Sequence, residues 1–164
     1  PMLGKSFLTT ISTWVVPMDA LRPFLCEPPP QDPEPDPALR AREPSALDIE
    51  LRAELSTALG NSTTVTTTNF GHLYWTFAQQ LAHLTSNGGV VRPGDLIASG
   101  TVSGPGEGEA GSMIEATWRG ERPLRVGDEE RGFLEDGDTV TLRAWAGDGP
   151  ARVEFGTATG TVIG

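Results

Sequence analysis

The chain is poor in cysteine, tyrosine and histidine, and short of positive charge. It has one cysteine, one tyrosine and two histidines in 164 residues. A single thiol, Cys26, leaves no disulfide framework within the chain, which fits a reducing compartment and a cytoplasmic product. Lys and Arg number 12 against 22 Asp and Glu, a formal net charge of −10. Neutralising phosphates requires a basic face, so this balance argues against nucleic acid and anionic membrane surfaces as partners. No apolar run approaches the ~18–20 residues of a membrane span. No basic stretch leads into an apolar run and a small-residue cleavage site, as in a signal peptide. The chain begins on Pro1 rather than Met and is expected to be a portion of a longer polypeptide.

What is present suffices for a core. Hydrophobic residues make up 37%, with four Trp and six Phe. A chain of this length suits one domain, burying roughly 70% of its unfolded surface. Residues 7–18 are β-branched and aromatic and read as extended structure ending at Pro17. CEPPPQDPEPDPAL then carries prolines at 28, 29, 30, 33, 35 and 37. Proline fixes φ and removes donors, so this segment is neither helix nor central strand but a stiff, acidic surface connection. ALDIELRAEL (46–55) alternates, with Leu47, Ile49, Leu51, Ala53 and Leu55 on one side and Asp48, Glu50, Arg52 and Glu54 on the other. That period predicts a half-buried strand. A turn at Gly60-Asn61 leads into the β-branched run NSTTVTTTN, a second strand.

The period then changes. Phe70, Leu73, Tyr74, Phe77, Leu81 and Leu84 recur at helical spacing, with Thr68 or Asn69 as N-cap and Asn87-Gly88-Gly89 as the stop. Pro93-Gly94 suits the central pair of a type II turn. SMIEATW, GFLEDGDTVTLRAW with a turn at Asp136-Gly137-Asp138, and RVEFGTATGTVI read as strands. The expected architecture is mainly β with one main helix, a β-roll or sandwich-like arrangement.

Few residues invite chemistry. His72 and His83 fall on nearly one face of the predicted helix, and no local carboxylate joins them into a zinc pattern. Cys26 has no local histidine partner and reads as inert. The carboxylates of 27–54 read as solvated. Asp136-Gly137-Asp138 lacks the further ligands of a calcium loop and reads as a hairpin turn. Two places stand apart. In GTVSG, small residues leave the backbone at Gly100 open beside the hydroxyl of Thr101, as close approach to a ligand requires. Glu115, flanked by Ile114 and Ala116 on a predicted strand, would share a face with Met113 and point toward the core side. A buried carboxylate is costly unless paired. Glu115 is therefore either a paired core group or a candidate acid/base or histidine-orienting residue.

Taken in order, LGKSFLTTISTWVVPMDAL, NFGHLYWTFAQQLAHLTSNGGVVRPGDLIASGTVSG, GSMIEATWRG and FLEDGDTV resemble the fumarylacetoacetate hydrolase family over almost the whole chain. RPGDLIASGT is common to the wider superfamily. GKSF, TTIS, WVVPMDAL and the NFGHLYWTFAQQLAH helix are similar to the fumarylacetoacetase branch. The resemblance implies a mixed β-sandwich roll, here incomplete: residues 1–164 would be the C-terminal part of a catalytic domain whose first part is absent, as is an N-terminal SH3-like domain. It implies a cytoplasmic, homodimeric, Ca²⁺- or Mg²⁺-dependent hydrolase of tyrosine and phenylalanine catabolism, cleaving the carbon–carbon bond of the diketo acid 4-fumarylacetoacetate to fumarate and acetoacetate.

The resemblance also implies residue roles. Lys5 and Thr9 match positions beside the metal. A protonated lysine has no lone pair, so Lys5 belongs to the outer shell or contacts substrate oxygens, which also makes it a catalytic candidate. Thr9 would hold a metal-bound water or a ligating carboxylate. Thr101, with the backbone at Gly100, matches a grip on a substrate carboxylate. Glu115 matches the glutamate that orients a water-activating histidine. The metal carboxylates, that histidine and further substrate-holding residues would lie upstream, so this chain alone is expected to be inactive. Other members of the superfamily, acylpyruvate hydrolases and β-keto acid decarboxylases, share PGDLIASGT. A non-catalytic β-rich dimerisation module is the remaining alternative.

Overall fold

A computed structural model describes residues 8–40 and 45–164. Eight strands and three α-helices follow one another along them. Helix α1 (Met18–Leu21) precedes β1 (Leu25–Cys26), and β2 (Ala46–Leu47), β3 (Glu50–Ser56) and β4 (Ser62–Asn69) come next. Helix α2 (Phe77–Thr85) and helix α3 (Met113–Ala116) separate these from β5 (Leu124–Val126), β6 (Glu129–Arg131), β7 (Thr139–Ala146) and β8 (Val153–Thr161). The main sheet has four antiparallel strands in the order β4-β3-β7-β8, while β1-β2 and β5-β6 form two-stranded pairs. A mainly β chain with one principal helix is therefore correct. Among the described residues the main sheet is open, with β4 and β8 at its edges.

The core follows from the alternation. Leu47, Ile49 and Leu55 are buried and Asp48 is exposed, as a period of two requires. Leu21, Leu47, Ile49 and Ala146 form the central cluster, with Phe24, Phe70, Val153 and Phe155 packed against it. The predicted strand 46–55 is, however, two strands. The Asp48 amide donates to the Phe24 carbonyl (2.8 Å) and the Phe70 amide to the Ile49 carbonyl (2.8 Å), so the backbone changes partners at 48–49. Residues 8–17 form no ladder and α1 starts directly after Pro17, so the extended stretch is not a sheet strand. Trp14 from this stretch instead lies over Gly156, whose φ of +77° sits beside the register shift between β7 and β8.

The long helix predicted from Phe70 is also divided. Asn69 caps only a 3-10 turn, Phe70–His72, by accepting from the Gly71 amide. Helix α2 begins at Phe77, with Thr76 as its cap: Thr76 accepts from the Gln79 amide (3.3 Å) and the Gln79 side chain from the Thr76 amide (3.0 Å). This reciprocal Thr-x-x-Gln box competes successfully with hydrophobic spacing. Gln79 also exchanges amide hydrogen bonds with Gln31 at 2.9 and 3.1 Å, which ties the proline-rich segment to the helix. The Pro93-Gly94 turn is as expected: Gly94 has φ +98° and the Asp95 amide reaches the Arg92 carbonyl at 3.0 Å.

SMIEATW is not a strand. Met113–Ala116 is one helical turn. The Thr117 hydroxyl donates to the Met113 carbonyl (2.8 Å) and the Arg119 amide to the Ile114 carbonyl (2.8 Å). Trp118 and Arg119 (φ 51° and 61°) then reverse the chain into Gly120. The hairpin β5-β6 lies in a stretch to which the sequence analysis assigned no element. Its Arg131 is nearly buried and forks onto the fully buried Asp138, at 2.9 Å from Nε and 3.2 Å from Nη2. The same Nη2 reaches Glu129 at 3.0 Å, and Glu129 in turn accepts from Thr57 and Asn61. The Asp136-Gly137-Asp138 turn thus serves as an anchor that fastens the β5-β6 hairpin to β7 and, through Glu129, to the β3-β4 connection.

Candidate active site

The two faces of the main sheet differ in chemistry. On one face, Arg143 lies 3.5 Å from Glu54, and the guanidinium groups of Arg52 and Arg152 stand 5.1 and 4.4 Å from the Trp145 ring. The other face carries Leu51, Ala53, Leu142, Ala144 and Phe155, with the hydroxyls of Thr66 and Thr68 along β4. It forms the floor of a cavity of about 460 Å³. Thr10, Ile11 and Ser12 line one part of this cavity, and Gly100, Thr101, Val102 and Gly111 another.

The structure thus brings together two segments singled out for different reasons. Gly100 and Thr101 line the cavity, and Thr101 is exposed. Thr9 is exposed and is not itself a lining residue, but its neighbour Thr10 is. Lys5 lies outside the described residues.

Glu115 occupies helix α3 and is exposed, so the expectation of a core-facing strand carboxylate is corrected. The left-handed reversal at 118–120 ends the turn and leaves no strand register to fix its face. Glu115 is nevertheless anchored. The Ser103 hydroxyl donates to Oε2 at 2.7 Å, and the Gly111 amide reaches the same oxygen at 3.2 Å and Ser103 Oγ at 3.1 Å. Gly111 is therefore the link between Glu115 and the cavity. A Cβ at position 111 would sit 2.6 Å from both Thr101 Cγ2 and the Val102 carbonyl carbon, so only glycine permits this approach.

The intervening loop is fixed to β4. The Gly108 carbonyl accepts from Thr66 Oγ1 (3.0 Å) and the Thr67 amide (3.1 Å). His72 stands 3.8 Å from Glu109 at the base of this loop and 3.5 Å from Thr68. The two histidines do not share a helix face, because His72 lies in the 3-10 turn and residues 73–76 are not helical. His83 instead lines a separate cavity with Trp75, Gln80 and Leu84. Burial pushes the Cys26 thiol up, with Asp48 and Glu27 adding to the effect, which keeps it protonated. Among the described residues no three His, Cys, Asp or Glu side chains converge on a point where an ion would sit. Calcium and magnesium require a shell of hard oxygen ligands. The described residues do not supply one.

The chain matches, over residues 1–163, the family model described as fumarylacetoacetate (FAA) hydrolase C-terminal. It belongs to the fumarylacetoacetate hydrolase family. Curated relatives named fumarylacetoacetase share about half its residues. Identity is 48% over 164 residues with the protein of Oryza sativa subsp. japonica, 49% over 165 with that of Caenorhabditis elegans and 48% over 166 with that of Homo sapiens. Each alignment covers 99% of this chain but only 38–39% of the relative, so the chain spans about two fifths of their length.

Neither Ser103 nor Gly111 is legible from the sequence as a hydrogen-bond partner of Glu115. Ser103 stands inside the GTVSG stretch already noted for its open backbone. Gly111 opens GSMIEATW, whose helical turn was unread, so the return of position 111 onto Val102 was not legible. No helix of the described residues is long and apolar enough to cross a membrane.

Proposed function

We propose that this chain is the C-terminal part of the catalytic domain of a hydrolase that cleaves 4-fumarylacetoacetate to fumarate and acetoacetate. The single observation that carries the reading is the junction at Gly111, where Thr101 at the cavity and the anchored carboxylate of Glu115 meet. The names of the relatives support the same substrate.

The reaction requires addition of water to a carbonyl, an oxyanion in the tetrahedral intermediate, and expulsion of the acetoacetate carbon as an enolate that is then protonated. Thr101, with backbone amides near Gly100, offers donors to a terminal substrate carboxylate. Glu115 accepts the N–H of a histidine from the upstream part of the polypeptide and fixes its tautomer while it removes a proton from water. Lys5 supplies an ammonium against developing negative charge. A Ca²⁺ or Mg²⁺ ion would be bound by upstream carboxylates, with Lys5 and Thr9 in the outer shell.

The upstream portion also completes the fold as a sandwich roll. The exposed apolar side chains Leu8, Leu142 and Ile163, which line one cavity against β7 and β8, support such a covering segment. The assembled enzyme is a cytoplasmic homodimer in this reading.

The test compares the full-length polypeptide carrying this chain with the chain alone. The former should release fumarate and acetoacetate from 4-fumarylacetoacetate. The latter should be inactive and show no micromolar Ca²⁺ site by calorimetry. Preference of the full-length protein for acylpyruvates, or turnover by the isolated chain, would overturn the reading.

A further inference from the structure

We propose that Ser103 is a positioning residue that selects which oxygen of Glu115 is presented to its partner. A carboxylate accepts through two oxygens, and two donors converging on one of them restrict its rotation and leave the other oxygen to accept elsewhere. Here both donors fall on Oε2: the Ser103 hydroxyl at 2.7 Å and the Gly111 amide at 3.2 Å. The Gly111 amide is shared, reaching Ser103 Oγ at 3.1 Å as well, so the serine hydroxyl accepts from position 111 and donates its proton to Glu115. The three groups close a ring in which the direction of the serine hydroxyl is determined.

Glu115 needs this support because of where it sits. It is exposed on a helix of a single turn, with free rotation about its side-chain bonds unless something outside the helix holds it. Ser103 comes from the other end of the 103–111 loop, two residues beyond Thr101. The same short segment therefore carries the substrate grip and the clamp on the carboxylate. Oε1, which accepts no hydrogen bond among the described residues, is the oxygen left for a donor from outside.

The inference rests on the reading of Glu115 as the acceptor for an upstream imidazole, and the experiment separates the two. Full-length polypeptide carrying this chain is made as wild type, Ser103→Ala and Ser103→Thr. Steady-state kinetics on 4-fumarylacetoacetate and crystal structures are obtained for each. Loss of one hydrogen bond to a charged group should lower kcat about tenfold or more in Ser103→Ala. KM should stay within about twofold of wild type, because Thr101 is untouched. Ser103→Thr retains the hydroxyl and should restore most of kcat. The crystal structure of Ser103→Ala should show the Glu115 carboxylate rotated off the Gly111 amide. Wild-type kcat in Ser103→Ala, a change confined to KM, equal losses in both variants, or an unmoved carboxylate would each overturn the role of Ser103. Failure of the wild type to turn over 4-fumarylacetoacetate would sink the functional reading alone, and the carboxylate's position in the two crystal structures would still decide the clamp.

Discussion

Replacing Gly111 with alanine tests how tightly the two halves of the candidate site are joined. The new Cβ would lie 2.6 Å from Thr101 Cγ2 and from the Val102 carbonyl carbon, and closer still to the Val102 oxygen. Non-bonded carbons rest at about 3.5 Å or more, so the two loop segments at 102 and 111 must part by roughly 1 Å. Two of the obstructing atoms are backbone, so a side-chain rotation cannot relieve the clash. The hydrogen bond from the Gly111 amide to Ser103 Oγ, already 3.1 Å long, would then exceed hydrogen-bonding distance. Overpacking of this kind costs about 1–3 kcal/mol of stability. A displacement of ~1 Å between binding and catalytic groups costs on the order of 100-fold in rate. The assay is kcat/KM of the full-length polypeptide on 4-fumarylacetoacetate, with a thermal melt alongside. Activity should fall by about two orders of magnitude while the melting temperature drops only by roughly 2–10 °C. Activity and stability both at wild-type level would show that the 102–111 loop slides freely, and the argument from close approach would be refuted.

Three further outcomes follow from the structure. Thr101→Val keeps shape and removes the hydroxyl, so KM should rise about tenfold or more with kcat little changed, and an unchanged KM would free Thr101 from substrate contact. Thr76→Ala removes one half of the α2 capping box and should cost about 1 kcal/mol in denaturant unfolding, which a variant as stable as the wild type would contradict. The charge cluster at the β5-β6 hairpin predicts acid sensitivity. Hydrogen bonds from Thr57 and Asn61, then Arg131, hold the Glu129 carboxyl below the usual range. Burial pushes Asp138 up, but Arg131 and the Glu135 amide pull it further down. Both folded-state values are depressed, so their stabilisation is full above the unfolded-state values near pH 4 and is lost as pH falls through the lower folded ones. Melting temperature should be flat from about pH 7 to 5 and decline below about 4. Asp138→Asn should lower it at neutral pH by on the order of 10 °C and flatten the acid decline. A wild-type melt that stays level to pH 2 would remove the cluster from the stability argument.

The sequence makes legible whatever is local and repetitive. The alternation over 46–55 marks the buried side of β3, and Pro93-Gly94 specifies its own turn. The TLRAW and RVEFGTATGTV runs became β7 and β8. What it conceals depends on distant partners. Phe70 to Leu84 keeps a helical period, yet Thr76 and Gln79 start the helix seven residues later, because a satisfied cap outweighs a continued stripe. The break at Asp48 is imposed by Phe24, more than twenty residues away. At the site, the hydroxyl of Thr101 and the open backbone of Gly100 could be read directly. The surroundings of Glu115 could not, because its donors arrive through a loop that folds back on itself and through a glycine whose importance is only spatial.

The seat of Trp14 on Gly156 ties the opening stretch of the chain to its closing strand. Because an indole rests where any larger residue would stand, the strand defines the height at which Thr10 to Ser12 cross the sheet. A change near the carboxyl end would then be felt at the mouth of the cavity some 140 residues earlier, so loss of function there need not signal any contact with substrate.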